Sequence, residues 1–263
     1  MKSLLKHVGV FHLACIDMFT DRGRGMVYFG LSFVNALVYF QIWKSAGVKM
    51  IGGIDLQSYY FLLMAIGSFV FVHVETPIAY LDIAEGNLSS LLTKPYSYGL
   101  YRLFSELPWR LFQGMVGALL IIFLELVFHV SIHVVTGWIE ILIMILSILF
   151  GFFIMYLYKT ILGLAAFWMT EILGLTQTSD VVLLLLGGYV IPIVAFPSWA
   201  QTIAWMTPFP YVAYVPVLLA GGSVTITQSF QYLFGQICWI GILSVVVYFV
   251  WNAGVKLYVG MGE

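Results

Sequence analysis

The 263-residue sequence predicts an all-α integral membrane protein, with six transmembrane helices in one domain spanning residues 1–263. Three observations carry this expectation. Only 9% of the residues are charged and 62% are hydrophobic, whereas a soluble domain is about 25% charged; so apolar a chain lacks the polar surface to cover a core in water. Apolar runs long enough to cross a bilayer, about 20 residues each, recur from end to end. The basic residues, finally, fall almost entirely in alternate connecting segments.

The elements follow in order. In residues 1–25, Leu4, Val8, Phe11, Cys15 and Met18 recur at helical spacing, while Ser3, Lys6, His7, Asp17 and Asp21 fall largely elsewhere. That pattern predicts an amphipathic interfacial helix along the membrane surface. His12 and Asp17 interrupt the apolar part and no small-residue cleavage site follows, so the segment does not read as a signal peptide. Spans are expected near 26–43, 57–80, 111–131, 138–158, 178–196 and 233–252. Residues 159–177, KTILGLAAFWMTEILGLTQ, fit either a short additional span or an extension of the fourth. The segment 197–232 is apolar but broken by Pro197, Pro208, Pro210 and Pro216. Proline lacks a backbone donor and interrupts helices, so half-inserted, broken helices packed against protein are expected there before the last span.

With six spans and the N-terminus inside, the inner segments hold Lys2, Lys6, Arg22, Arg24, Lys94, Arg102, Arg110, Lys159 and Lys256, and the outer ones only Lys44 and Lys49. Nine against two sets the orientation. Both termini are then cytoplasmic and 197–232 faces outward. Trp109, Trp138, Trp199 and Trp251 lie near span ends, as interfacial anchors do. The net charge of −1 excludes a nucleic-acid partner of the usual basic kind. Cys15 and Cys238 stand far apart and read as small buried apolar side chains.

Residues 81–110 form the largest cytoplasmic loop. Ile83, Leu88, Leu91 and Leu92 mark one side of a short helix, and Asp82, Glu85, Asn87 and Lys94 another, until Pro95 stops it. Gly86 lets the chain turn into that helix. An apolar ridge with polar edges suits a cytosolic partner, and equally an ordinary loop that meets lipid headgroups.

Three stretches together resemble the permease subunits of ABC transporters of the ABC-2 type, in their six-span branch: EGNLSSLLTKP after span two, GGYVIPIVAFPSWAQTIAWMTPFPYVAYVPVLLAGG before the last span, and the tail WNAGVKLYVGMGE. The likeness runs in order along essentially the whole chain, with Lys94 standing where many relatives carry arginine. It implies a prokaryotic inner-membrane exporter permease that forms the substrate path. Separate cytosolic ATPase subunits would bind the ATP and Mg, and a second permease, identical or related, would complete a dimer within membrane lipid. It makes the loop a coupling helix, with Asp82, Glu85, Gly86, Asn87, Leu88, Leu91, Leu92, Lys94 and Pro95 as ATPase contacts. It also makes Pro192, Phe196, Pro197, Trp199, Pro208 and Pro210 part of re-entrant helices at the outer mouth.

The residues that carry chemistry are few. No GxxxxGK[ST], HExxH, CxxC or GxSxG occurs, so the chain has no phosphate cradle and does not read as an enzyme. Glu75, near the inner end of span two, either lines the path or pairs with a basic residue of the loop, since an unpaired acid there is costly. Glu125, His129 and His133 would share a face of a continuous helix. They are taken as an interfacial cluster in preference to a metal or proton site. A gradient-driven carrier or channel is the rival reading; carriers tend to show internal repeats, and the two halves here show none. The purified chain, free of ATPase subunit, should hydrolyse ATP only at the background rate of protein-free micelles, as read by phosphate release.

Overall fold

The computed structural model describes residues 2–20, 34, 37–95, 97–129 and 131–260. Most of the expected first span, 26–43, lies outside the described residues, as do Arg22, Arg24 and the last three residues of the tail. What is described is mostly helical, with one two-stranded hairpin.

Among the described residues, three helices are long and apolar enough to cross a bilayer alone, within Tyr98–Val127, Trp138–Phe167 and Ile226–Tyr258. They correspond to expected spans three, four and six, and each is longer than the sequence pattern suggested. We label the helices α1 (Lys2–Thr20), α2 (37–45), α3 (Leu56–Val70), α4 (Leu88–Leu92), α5 (Tyr98–Phe128), α6 (Trp138–Leu164), α7 (Leu173–Leu186), α8 (Ser198–Trp205), α9 (Tyr214–Ala220) and α10 (Ile226–Gly260). Six full spans are not found among the described residues. Expected spans two and five are the shorter apolar helices α3 and α7, and α8 with the segment Phe209–Ala220 forms a pair bent by 70°.

Span two is shorter because the chain breaks at Phe71 and resumes as a π-helix, Pro77–Ala84. The Phe71 carbonyl accepts a hydrogen bond from Arg110 Nη1, so that carbonyl is satisfied within the protein. The ambiguous stretch 159–177 is neither a separate span nor a simple extension. α6 runs to Leu164, a 3-10 turn covers Ala165–Phe167, and α7 starts at Leu173. Pro108, expected within a loop, lies inside α5.

The two ends of the bundle are set by cross-contacts. At one end a hairpin pairs Met50 with Asp55 and Ile51 with Ile54. Gly52 and Gly53 form its two-residue turn, at φ of +56° and +89°, the conformation such turns require. Asp55 caps α3 through Ser58 N at 2.8 Å, and Val135 N donates to the Ala220 carbonyl at 2.9 Å. At the opposite end, the loop end, Tyr258 contacts the loop before α4. The segment between α7 and α10 enters and leaves at the hairpin end, where Trp43 Nε1 donates to the Val190 carbonyl at 2.9 Å. Its tip reaches into the bundle. Gln236 Nε2 donates to the carbonyls of Ser147 and Tyr211, both at 2.9 Å.

The core sits around α3 and α9. Every residue of α9 is buried, as are most of α3. α5, α6 and α10 instead leave Leu119, Phe123, Leu142, Phe234, Val245 and Phe249 exposed, an apolar exterior suited to lipid rather than water. α1 packs against α5. Phe11, Ala14, Cys15 and Met18 are half-buried, while Val8, Leu13 and Ile16 stay exposed. Its apolar surface is therefore broader than the stripe expected of a surface-lying helix.

The tip of the bent pair lies directly on α6. A Cβ at Gly151 would stand 2.2 Å from the Val212 carbonyl oxygen, whereas one at Gly241 would meet nothing within 4 Å. Gly151→Ala should therefore cost about 1–3 kcal/mol, the usual range for overpacking, and Gly241→Ala less than about 0.5 kcal/mol. Thermal unfolding midpoints in detergent compare the two.

Candidate transport path and loop-end surface

The loop before α5 is fastened by a buried charge pair. Asp82, 1% exposed, accepts from Arg102 Nε at 2.6 Å, from Arg102 Nη2 and from the Tyr98 hydroxyl. Gly86, at φ of +83°, then turns the chain, and Asn87 Nδ2 donates to the Leu81 carbonyl at 2.7 Å. Tyr258 of α10 closes the far side. Its hydroxyl donates to the Gly86 carbonyl at 3.1 Å and lies 3.0 Å from Ser89 Oγ.

This geometry corrects the expected polarity of the segment. Ile83, Leu88 and Leu91 point inward and are buried, with Leu88 fully so. Burying each contributes roughly 1.5–3 kcal/mol, and the chain's own core takes them up. Asp82 is likewise internal rather than available to a partner. The surface that remains is Glu85, Gly86, Asn87, Ser89, Ser90, Leu92, Thr93, Lys94 and Pro95.

A second charged group lies deeper. Lys159 of α6, fully buried, donates to Glu75 Oε1 at 2.9 Å and to Asp180 Oδ1 of α7 at 2.7 Å. His73 Nδ1 stands 3.6 Å from Glu75 Oε1. Glu75 is thus paired, as one of the two expectations had it, but with a lysine of α6 and not with the loop. The chain approaches α6 closely there: a Cβ at Gly163 would sit 3.0 Å from Glu75 Cα. Lys159 is accordingly a buried residue, although the sequence placed it in a connecting segment.

Beside this group lies a cavity of about 230 Å³, bounded by α2, α3, α6 and α7. Asp180, His73 and Ser68 are among its polar lining; Leu63, Met64, Met155 and Leu183 are among its apolar walls. Glu75 does not line it. Asp180 was missed in the sequence, although an acid in the run TSDVVLLLL is subject to the same membrane cost as Glu75.

At the hairpin end α5 stops at Phe128, and His129 caps it in the left-handed conformation at φ of 51°. The continuous helix expected through Glu125, His129 and His133 is therefore interrupted. His133 turns to α3, its N–H donating to Ser58 Oγ at 2.8 Å and its Nδ1 lying 3.3 Å from Asp55 Oδ2. The three side chains border one recess, but no group of three or more His, Cys, Asp or Glu that could hold a metal is found among the described residues. Burial raises the Asp55 carboxyl, but the Ser58 hydrogen bonds and His133 outweigh it and hold it below the ordinary carboxylate value. The residues expected at the outer mouth differ in burial. Pro192 and Pro210 are buried, Phe196 and Pro208 half-buried, and Pro197 and Trp199 exposed.

Apolar helices with lipid-type surfaces and a broken apolar pair mark a multi-pass membrane protein. Its sequence matches the family described as ABC-2 family transporter protein over residues 27–262, and the chain belongs to that family. No significant match is found among curated proteins.

Removing one partner of a buried ion pair leaves the other uncompensated, at a cost of about 3–5 kcal/mol. Arg102→Met should therefore destabilise strongly, and Asp82→Leu with Arg102→Met much less than the two single changes summed. Thermal unfolding of the four species in detergent, read as a double-mutant cycle, checks this.

Proposed function

We propose that the chain is the permease subunit of an ATP-driven exporter, forming the substrate path and receiving force at its loop end from separate cytosolic ATPase subunits. Those subunits would carry the ATP and Mg. A second permease, identical or related, completes the path in a prokaryotic inner membrane. The loop end, with Lys94, Arg102 and Lys256, faces the cytoplasm, and the hairpin end, with Lys44 and Lys49, faces outward.

The observation that supports this best is the fastening of the exposed α4 surface. It is tied to α5 through Asp82 and Arg102 and to α10 through Tyr258. A push on Glu85–Lys94 is delivered directly to two helices of membrane-spanning length, as rigid-body alternating access requires. The ATPase contact belongs to the polar outer face of α4, with Leu92 as its apolar member, and not to the inward Leu88 and Leu91.

The test separates the two faces. Ser90→Trp and the pair Glu85→Lys with Lys94→Glu should reduce recovery of the co-expressed ATPase at least tenfold while membrane levels of the chain stay normal. Leu88→Asp should instead lower those levels, because it places a charge in the core. Full ATPase recovery and transport in both outer-face variants would overturn the reading.

A further inference from the structure

A single polar side chain fastens the tip of the bent pair. Gln236 of α10 is 0% exposed. Its Nε2 donates to the Ser147 carbonyl on α6 and to the Tyr211 carbonyl at the tip, both at 2.9 Å. Carbonyl oxygens only accept, so these two partners fix which end of the amide points at them. The break in the chain is what frees the Tyr211 carbonyl. The 3-10 turn Phe209–Tyr211 ends there, and Ala213, at φ of −137°, leaves the helical path before α9 begins at Tyr214. Tyr211 is thus seated twice on α10. Its carbonyl meets Gln236, and its ring lies against Gly235, where a Cβ would stand 2.6 Å from it.

This arrangement leaves two polar atoms over. Gln236 Oε1 and Ser147 Oγ are buried and meet no hydrogen-bond partner among the described residues. A buried polar atom without a partner is costly, and a native group left so calls for an explanation. Here one atom is an acceptor and the other a hydroxyl, on two residues already joined by a hydrogen bond. Each is the partner the other lacks. A turn of the amide lets Oε1 accept from the Ser147 hydroxyl while Nε2 keeps the Ser147 carbonyl. Gln236 then pairs wholly with Ser147 and drops Tyr211. One hydrogen bond is exchanged for another, so little net bonding separates the two arrangements, as a two-state element requires.

We propose that Gln236 is a latch on the bent pair. Bonded to Tyr211 it holds the tip in the bundle, and bonded wholly to Ser147 it releases the tip. From Gln236, α10 continues for about 33 Å, at 1.5 Å per residue, to Tyr258, which is tied to the loop before α4. A shift of α10 against α6 therefore acts on the latch and on the loop end together. As a step in transport this rests on the permease reading, with Gln236 as a positioning residue; the latch itself does not.

The reporter is Val212→Cys, at a tip residue 1% exposed, in the full-length chain carrying Cys15→Ala and Cys238→Ala, in maltoside micelles. Its rate of reaction with excess maleimide reads the population of released tip. Gln236→Met keeps the length and removes the amide, and should speed labelling at least threefold. Ser147→Ala removes only the alternative partner, and should slow labelling at least threefold. The opposite directions are the signature, since side chains that merely pack would loosen the tip when either is cut back. Faster or unchanged labelling in Ser147→Ala overturns the proposal, as does slower or unchanged labelling in a folded Gln236→Met. Ser147→Ala deletes one oxygen atom, so it decides the matter alone if Gln236→Met does not fold. The rates are read on the chain without ATPase. A chain that shows both changes but recovers no ATPase keeps the latch and loses only the permease reading; one that recovers its ATPase but shows neither change loses only the latch.

Discussion

The break in the second apolar helix at Phe71 is the constraint on which the loop end depends. In surroundings without water, a helix can stop only where its freed carbonyls find donors within the protein. Arg110 supplies one to Phe71, and its own charge is met by Glu106 at 2.7 Å and by Gln113 at 2.6 Å. A few residues on, Glu75 is held by Lys159. The break is thus pinned to α5 and α6 at once. Pinning it sets where Pro77–Ala84 turns, and so places Asp82 beneath Arg102.

Buried ion pairs are weak contributors to net stability, because desolvation offsets most of their attraction. Their effect here is on position. Asp82 and Arg102 help fix the angle at which the loop leaves the bundle. Tyr258 adds a neutral tie from α10, and its ring also meets Phe167 at 6.1 Å between centroids. Elsewhere the helices are joined by close approach. Gly151 admits the Val212 carbonyl, Gly163 the backbone at Glu75, Gly235 the Tyr211 ring and Gly254 the Phe167 ring. Small residues at such points are what membrane packing relies on, since lipid provides no hydrophobic drive between apolar helices.

Much of the architecture was legible because composition and period report solvent. The runs that became α5, α6 and α10 are apolar on all sides, and the prolines between Pro197 and Pro216 announced a broken segment. The hairpin was also legible, in the GG of KMIGGID, and went unread within a supposed loop. The inward face of α4 was not legible. An apolar stripe on a short helix shows that something covers it, and does not say whether that is a partner or the same chain.

By itself the sequence determined the solvent: a chain with so few charges must meet lipid, and its prolines and apolar runs mark most of the boundaries. It also determined which acids need partners, because an ionised group at membrane depth is costly wherever it stands. Only the tertiary structure decided who those partners are. Glu75 meets Lys159 across 84 residues and Asp180 meets the same ammonium across 21, distances along the chain that no helical or strand period encodes. Charge pairing depends on separation in space and is indifferent to separation along the sequence, so it appears only once the helices have packed.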